Sequence, residues 1–467
     1  MILLTALASC LAGCGSSSPA ELPNAGKSTL FVPGILGFDM ECVPILDGAT
    51  TAVDISYGIP PPSLTFFKAP SGFQAIYEIS VRARTEGNKE LQSETSWQET
   101  TFVSTYTQTQ RMDPIEHVRR VKVPPGRTTI QMRLEQTPES SSAVRTQTVD
   151  IPSPLATVPV AAKMYVQWRQ PDGQIGPFVF FHIPSGLDSL RVAAKFFHLP
   201  LGGTITLHFA FEHFRYDTAV PRAPYLYASA IPFQHQFSTE DRGAFDTVLT
   251  AVANVIPTSA QTVGVMPLPT AESGLYRVSV RAVVPDGGDN GADTVISLRR
   301  VISIKGVTFP RPSTLDELVG PLRYIATEAE MDRILSAGNE TEKRARFDVF
   351  WLSHAADRAA AAGLIKEYYT RVTDANRYFS SVKEGWRTDM GMVYIVLGPP
   401  ASVSRVLGGE VWQYTFPGSA GATSFRFTAI TITGDGVSLS DDVLSRDAIY
   451  EEQWTRMVSH WRRGETY

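Results

Sequence analysis

The sequence has 467 residues, of which 43% are hydrophobic and 19% charged, and its formal net charge is −5. This is the composition of a globular protein, and at roughly 100–200 residues per domain the length predicts two to four domains. The weak negative charge gives no reason to expect nucleic acid as a partner, because phosphate binding needs a basic face.

The first 28 residues predict an exported and lipid-anchored protein. Residues 1–14 form an apolar segment that ends in small residues and a cysteine, as a lipoprotein signal peptide does, and residues 15–28 form a polar tether rich in serine and proline. Leu11-Ala12-Gly13-Cys14 resembles the lipobox of bacterial lipoproteins, in which the cysteine is lipidated. Leu7-Ala8-Ser9-Cys10 also fits, but Cys14 has the longer apolar run before it and the tether directly after it.

A lipid on Cys14 would place the protein at the bacterial cell envelope, attached to a membrane and facing either the periplasm or the cell surface. Gly15, rather than aspartate, follows the cysteine, which favours the outer membrane. No later run approaches the ~20 apolar residues of a membrane-spanning helix. Cys42 is the only cysteine in the body of the chain, so neither a disulfide framework nor a cysteine metal site is expected.

Residues 29–152 predict a first β-sandwich. From Phe73 to Ala83 apolar residues alternate with polar ones, which is typical of a half-buried strand. Residues 100–106 and 128–134 have a similar pattern, and Pro124-Pro125-Gly126 predicts a turn. Short strands at turn-marked spacing favour a sandwich.

Residues 158–307 predict a second β-sandwich, after a linker at Pro152–Pro154. Residues 204–211 and 274–281 have strand patterns. The second of these begins after Ser-Gly and carries an aromatic residue at its second strand position, a pattern common in Ig-like sandwiches. We therefore expect two Ig-like antiparallel β-sandwiches.

Residues 312–467 predict an α+β domain, with helices packed on an antiparallel or mixed sheet, after a second linker at Pro310–Pro312. Three segments pair a helix-capping residue with an acid three residues later, at 313–317, 327–330 and 339–342. The clearest helix has a stripe of apolar residues at steps of three and four: Ile365, Tyr368, Val372, Ala375 and Phe379.

The segment Met392–Leu397 is apolar at every position, so we expect a strand buried on both faces. Residues 410–416 and 424–432 predict further strands, and the tail from about Asp447 to Arg463 predicts a helix.

The sequence from Tyr368 to Tyr414 resembles the GWxTD-domain family. The matching residues are Tyr368-Tyr369, Arg371-Val372, Ala375-Asn376, Phe379-Ser380, Gly385-Trp386-Arg387-Thr388-Asp389, Gly391, Val393-Tyr394-Ile395, Gly398-Pro399-Pro400 and Trp412-Gln413-Tyr414. The resemblance implies a bacterial, exported, multi-domain protein that is often lipid-anchored, and it implies no reaction. The chain departs from the common pattern at Met390 and Met392, where basic residues are usual, and at Ala401, where an acid often follows.

The candidate site is the motif Gly385, Trp386, Arg387, Thr388 and Asp389, together with Gly398, Pro399 and Pro400. One interpretation makes it a structural fastener, in which Trp386 covers a joint between helix and sheet and the two glycines Gly385 and Gly391 adopt unusual backbone angles. The other makes Arg387 and Asp389 a ligand-binding or catalytic pair in a cleft. The motif supplies no histidine or cysteine, so we favour the fastener.

No catalytic pattern is present elsewhere, and neither a metal nor a cofactor is expected. His208 and His213 are placed too far apart in direction to share a metal, and the acidic loop at 285–293 is explained by a hairpin turn as well as by calcium. The sequence favours a non-enzymatic, membrane-tethered protein that binds other envelope proteins. The alternatives are a ligand-binding protein or enzyme that uses Trp386–Asp389, and a small outer-membrane assembly lipoprotein, whose Leu-Gly-x-Pro and Trp-x-Tyr patterns are faintly similar to those here.

Overall fold

The structure is a computed structural model. It describes residues 36–465 with the exception of 87–92, 110–114, 137–140, 171–172, 188, 215–219, 227–244, 269–272, 286–292, 382, 407, 417–421 and 435–436. The predicted signal peptide, the tether and Cys14 lie outside the described residues, as does most of the acidic loop at 285–293.

The first part of the chain forms two facing antiparallel sheets, which we call the first sandwich. Its strands are β1 (Asp39–Asp47), β2 (Thr50–Ile59), β3 (Phe67–Ala69), β4 (Gly72–Thr85), β5 (Ser93–Val103), β6 (Ile115–Lys122), β7 (Gly126–Gln136) and β8 (Ser141–Ile151), with a short helix α1 (Tyr106–Thr109) after β5. One sheet has the order β1-β2-β6, and the other has the order β3-β4-β7-β8 with β5 on the opposite edge of β4. The predicted turn at Pro124–Gly126 joins β6 to β7.

The core of the first sandwich lies between its two sheets. The inward residues of β2, β4 and β7 are fully buried, as Ile55, Ile79 and Ile130 show. On one side the edge strands β1 and β8 meet, where the Gln147 side chain accepts a hydrogen bond from the Cys42 amide (2.6 Å). Burial raises the pKa of the Cys42 thiol to about 12, so this cysteine is an inert core residue.

The second part of the chain forms another pair of facing sheets, the second sandwich. Its strands are β9 (Val160–Arg169), β10 (Ile175–Phe178), β11 (His182–Pro184), β12 (Arg191–Phe197), β13 (Ile205–Phe214), β14 (Phe245–Val255), β15 (Gln261–Pro267), β16 (Gly274–Val284) and β17 (Thr294–Lys305). The orders are β10-β9-β12-β15 and β11-β17-β16-β13-β14. All pairs are antiparallel except β11 with β17.

The two sandwiches contact each other through a buried charge cluster. The Glu41 side chain of β1 is 2% exposed and pairs with Lys163 (2.8 Å) and Arg300 (2.6 Å) of the second sandwich. Although burial opposes it, the two cations hold the pKa of Glu41 below its ordinary value. Val43, Tyr165 and Ala193 form a small apolar cluster nearby.

The last part of the chain is an α+β domain. Its helices are α2 (Leu315–Val319), α3 (Glu328–Leu335), α4 (Glu340–Ser353), α5 (Arg358–Phe379), α6 (Asp389–Leu397) and α7 (Glu451–Arg462), and its antiparallel sheet has the order β18 (Ser402–Val406), β19 (Gly409–Thr415), β20 (Ala422–Gly434) and β21 (Val437–Leu444). Short 3₁₀ helices lie at Gly320–Tyr324, Gly385–Arg387 and Ala448–Tyr450.

The local signals for the helices are confirmed. Thr314 and Thr327 form complete capping boxes with Glu317 and Glu330, and Asn339 caps α4. The apolar stripe of α5 faces the core, with Tyr368, Val372 and Ala375 fully buried and the stripe's two ends packed against it.

The expected strand at Met392–Leu397 is wrong, since this segment is the helix α6. Thr388 caps the helix by accepting a hydrogen bond from the Gly391 amide (3.0 Å), and Asp389 places an acid in the first turn. A helix that is buried on all sides needs apolar residues at every position, and so does a strand buried on both faces. Periodicity therefore could not separate the two structures here.

Among the described residues, no helix combines the length and apolar character that crossing a membrane requires.

Candidate functional site

The motif connects the end of α5 to the start of α6 and is held by backbone hydrogen bonds to α5. Asn376 accepts from the Trp386 amide through its side-chain oxygen (3.1 Å), and Ser380 accepts from the Gly385 amide (2.9 Å). The Ser380 hydroxyl in turn donates to the Asn376 carbonyl (2.6 Å). Side chains from the last turns of α5 thus satisfy backbone amides that the change of direction leaves without a helical partner.

Gly385 and Gly391 are required for close approach and not for unusual backbone angles, so the expectation on this point is wrong. Neither residue has a positive φ. A Cβ on Gly385 would lie 1.8 Å from the Ala375 carbonyl oxygen, and one on Gly391 would lie 1.8 Å from the Gly385 carbonyl oxygen. The backbone of the motif lies directly against the backbone of α5, where no side chain fits.

Trp386 is 6% exposed and packs against the 3₁₀ helix at Gly320–Tyr324. Its ring meets the Tyr324 ring edge to face at 6.4 Å, and its far edge lies over Gly320. The Tyr324 hydroxyl donates to the Trp386 carbonyl (2.5 Å). The indole therefore joins two helical segments of the domain, the motif and the 3₁₀ helix at Gly320–Tyr324.

Arg387 covers the exposed side of the motif. Its guanidinium lies 4.6 Å from the centre of the Trp386 ring, and its Nε is 3.0 Å from a Glu384 carboxylate oxygen. A cation over an indole face is worth about 0.5–1 kcal/mol at an accessible site. Arg387 and Asp389 point to different partners and do not form a pair.

Thr388 and Asp389 fix the start of α6 and join it to the sheet. The Thr388 hydroxyl, 2% exposed as a residue, donates to the Gly385 carbonyl (2.7 Å) while it caps the helix. One Asp389 oxygen accepts from the Leu444 amide (2.9 Å) and the other pairs with Arg446 (2.6 Å). Arg446 also donates to the carbonyls of Arg222 (2.6 Å) and Ala223 (2.8 Å), which lie in the connection between β13 and β14 of the second sandwich.

Gly398, Pro399 and Pro400 end α6. Gly398 has φ +80, a left-handed conformation that favours glycine, and its carbonyl accepts from the Tyr414 hydroxyl (2.8 Å). Pro399 is exposed and Pro400 is partly exposed. The buried Arg371 guanidinium reaches the carbonyls of Ile395 (3.5 Å) and Val396 (3.4 Å), so a cation lies at the negative end of the helix.

Two departures from the family pattern, Met390 and Met392, are explained by the packing of the core. Met390 and Met392 are 3% and 0% exposed and belong to the domain core, where a basic side chain would need a buried partner. In this chain the two positions therefore serve apolar packing.

The chemistry available at the motif is limited. Burial raises the pKa of Asp389, and the Arg446 cation opposes that rise. Both oxygens of this carboxylate accept hydrogen bonds from the protein, and no histidine, cysteine or serine of the motif is placed beside it as a nucleophile. In the described part of the chain, no cluster of three metal-ligating side chains occurs, and His208 and His213 stand on the same strand, β13.

Two residues that complete the site could not be recognised from the sequence. Arg446 lies 57 positions after its partner Asp389, and Tyr324 lies 62 positions before Trp386. Asn376, Ser380 and Arg371 fall within the stretches that resemble the family, and that resemblance was the only available signal for them.

The fold and site define a chain of two pairs of facing antiparallel sheets that ends in an α+β domain, in which a closely packed connection joins α5 to α6. Residues 291–463 match the family described as GWxTD domain, so the resemblance is confirmed and the chain carries a GWxTD domain. No curated protein matches the sequence.

Among solved structures, the chain is similar to the transglutaminase of red sea bream, at 10% identity and a TM-score of 0.17. The match covers 57% of this chain and 31% of that one, so it extends over about a third of that protein. A TM-score of this size establishes no common fold.

Proposed function

We propose that this protein is a lipid-anchored component of the bacterial cell envelope that acts through protein contacts and catalyses no reaction. The observation that carries the proposal is the use of the motif inside the protein. The side chains of Trp386, Thr388 and Asp389 all make contacts within the protein. Asp389 is also linked to the second sandwich through Arg446. We infer that the motif is a structural fastener that also fixes how the last domain joins the sheets before it.

The anchor is proposed from the sequence. Cys14 ends the apolar lipobox, the tether follows it, and Gly15 favours the outer membrane. The two sandwiches, which we propose to be Ig-like, would extend from this tether and present their edges and loops to partners. The GWxTD domain would be separated from the membrane anchor by the two sandwiches along the sequence.

The anchor is tested by labelling the full chain in a bacterium with a palmitate analogue. We expect labelling and membrane retention of the natural sequence and loss of both in Cys14→Ser. A Cys14→Ser variant that stays labelled and membrane-bound would show that another cysteine, such as Cys10, carries the lipid.

The interaction role is tested by cross-linking the tagged full chain in its native envelope. We expect the natural chain to recover one or a few envelope proteins in near-stoichiometric amounts, and Cys14→Ser to recover far less of them. If the chain is recovered alone from intact envelopes under efficient cross-linking, the interaction role is wrong.

A further inference from the structure

The first sandwich is closed on one side and open on the other. On the closed side β1 and β8 meet, and the Arg145 side chain of β8 reaches Asp39 of β1 (3.4 Å). On the open side the edge strands are β5 and β6, which among the described residues pair only with β4 and β2. A cleft of about 490 Å³ lies between these two edges, within the range of natural ligand sites.

Most of the residues that line the cleft face the interior of the sandwich, whereas Gln98, Arg120 and Lys122 alternate with them on the outer face of their strands. Ser93, Thr95 and Trp97 of β5 stand directly opposite the buried residues Ala83, Val81 and Ile79 of β4. Residues that stand opposite each other in an antiparallel pair project from the same face of the sheet. On the face where β4 presents core residues, β5 therefore presents two hydroxyl groups and an indole.

The opposite wall is polar at one inward position and apolar at the next. Arg119 and Val121 of β6 stand opposite Ile55 and Val53 of β2, which are both fully buried. Val121 is apolar and only 6% exposed, as a completed core requires, whereas a completed core would place an apolar residue at Arg119 as well. An arginine on the core face of one edge strand, facing hydroxyls on the other, indicates a surface that is built to stay open.

One end of the cleft is closed by an ion pair. Arg119 bridges to Glu99 (2.5 Å) and lies 5.7 Å from the centre of the Trp97 ring, whose nitrogen also donates to Glu99 (3.1 Å). From this bridge the cleft runs towards Ser93 and Lys122. The aromatic floor at Trp97 is thus fixed in position before any ligand binds.

The cleft has a surplus of positive charge. Three cations, Arg119, Arg120 and Lys122, line it. Arg119 and Arg120 are each paired, with Glu99 and Asp54, whereas Lys122 has no ion-pair or hydrogen-bond partner among the described residues. Ser93 and Thr95 also have side chains without such a partner in the described structure. These groups are available to an incoming ligand with an acidic group and hydrogen-bonding side chains.

We propose that an extended acidic segment of a partner protein binds in this cleft by lying along the free edges of β5 and β6. The inference rests on the proposed role in protein contacts and names the surface and the chemistry of the partner. A free strand edge offers a row of backbone donors and acceptors that only an extended peptide can use fully. The inward residues Ser93 and Thr95 of β5 stand two positions apart, which is the period at which such a peptide projects its side chains.

The test uses a phage-displayed library of random peptides, selected on the full chain in detergent. We expect enriched peptides that carry acidic residues at alternate positions and that bind less tightly as salt rises, because the contact is between accessible charges. Lys122→Glu and Thr95→Phe should each weaken binding at least tenfold, the first by reversing the charge and the second by filling the cleft.

The matched control is Arg84→Glu, which makes the same change of charge on the outer face of β4, away from the cleft. It should change binding by less than twofold. Selected peptides that bind all four proteins equally, or a selection without enrichment, would overturn the proposal. If an oligosaccharide of uronic acids binds with the expected variant pattern and no peptide does, the assignment to a protein segment is wrong.

The same variants separate this inference from the wider proposal. Cross-linking in the envelope that recovers the same partners from Lys122→Glu and Thr95→Phe as from the natural chain leaves the interaction role standing and excludes the cleft as its surface.

Discussion

Asp389 illustrates how single residues carry the motif. Its carboxylate contacts the last residue of β21 and an arginine that in turn holds two carbonyls of the preceding sandwich. The side chain is almost fully buried, so replacing it by a neutral amide leaves Arg446 with an uncompensated charge. Trp386 contributes differently, through apolar area and through the fit of its ring against Tyr324.

We predict that Trp386→Ala lowers the free energy of unfolding by about 3–5 kcal/mol, as is usual for a buried tryptophan. Asp389→Asn should also lower it measurably, through the loss of the ion pair with Arg446. Urea unfolding of the full chain, followed by near-ultraviolet circular dichroism, measures both changes. Arg387→Ala serves as the control and should cost less than Trp386→Ala, since it removes a cation–π contact worth about 0.5–1 kcal/mol and a partly exposed ion pair with Glu384. Full stability of both Trp386→Ala and Asp389→Asn would show that the motif is not a fastener.

At the scale of elements, the sequence predicted the strands and helices that are specified by residues close to them in the chain. Alternation predicted β4, and the capping boxes at Thr314 and Thr327 predicted α2 and α3, because these signals lie within a few residues of the structure they specify. α6 was mistaken for a strand because complete burial removes any period from its sequence. The cleft between β5 and β6 was not predicted at all, since it depends on which strands become the edges of two sheets.

The contact of the motif with α5 gives a second prediction. Gly385→Ala should be strongly destabilising, by several times the ~1 kcal/mol typical of a point mutation, because the new Cβ would overlap the Ala375 carbonyl and force backbone apart. Gly363→Ala is the matched control within α5, where a Cβ meets nothing within 4 Å. It should stabilise the protein by about 0.5–1 kcal/mol through helix propensity. Thermal unfolding of the two variants beside the natural chain checks both signs, and equal effects would refute the close-approach explanation.

At the scale of the whole molecule, the parts are joined by buried polar contacts and not by apolar area alone. Glu41 links the two sandwiches. His182 of β11 is partly buried, and desolvation together with the nearby Lys305 cation holds its pKa well below the ordinary value, so it is neutral. Its Nε2 donates to the Ser380 carbonyl (3.2 Å). Such contacts depend on exact geometry, and they fix the orientation of one part relative to the next.

We predict that Glu116 makes the junction of the two sandwiches sensitive to pH. Its carboxylate accepts from the Gln170 amide of the second sandwich (3.0 Å), and burial raises its pKa to about 7. Since the pKa is higher in the folded state, the stabilisation is fully present below about pH 4.5 and is lost as the pH rises through 7. The natural chain should therefore gain more in unfolding temperature between pH 8 and pH 6 than the Glu116→Gln variant does. A natural chain and a Glu116→Gln variant with identical pH dependence between pH 6 and 8 would contradict this.

The second linker should be the first place that a protease cuts. Val307 is 73% exposed and precedes Pro310, whereas the helices that follow are packed. Elastase should release a C-terminal piece that starts near residue 310, visible after denaturation. Under native conditions we expect the two pieces to co-elute from gel filtration, since His182 donates to the Ser380 carbonyl (3.2 Å) and Arg446 donates to the Ala223 carbonyl (2.8 Å), and both contacts join one piece to the other. Cleavage scattered through the helices would place the boundary elsewhere.

The strand β17 has a consequence for how such a protein can evolve. It lies between β11 and β16 in the second sandwich, yet it falls inside residues 291–463, the stretch that matches the GWxTD domain. A gene rearrangement that moved this stretch alone would carry β17 away from the sheet that it completes and would leave Arg446 without the carbonyls it binds. We therefore expect the sandwich and the GWxTD domain to be inherited together, as one unit of recombination.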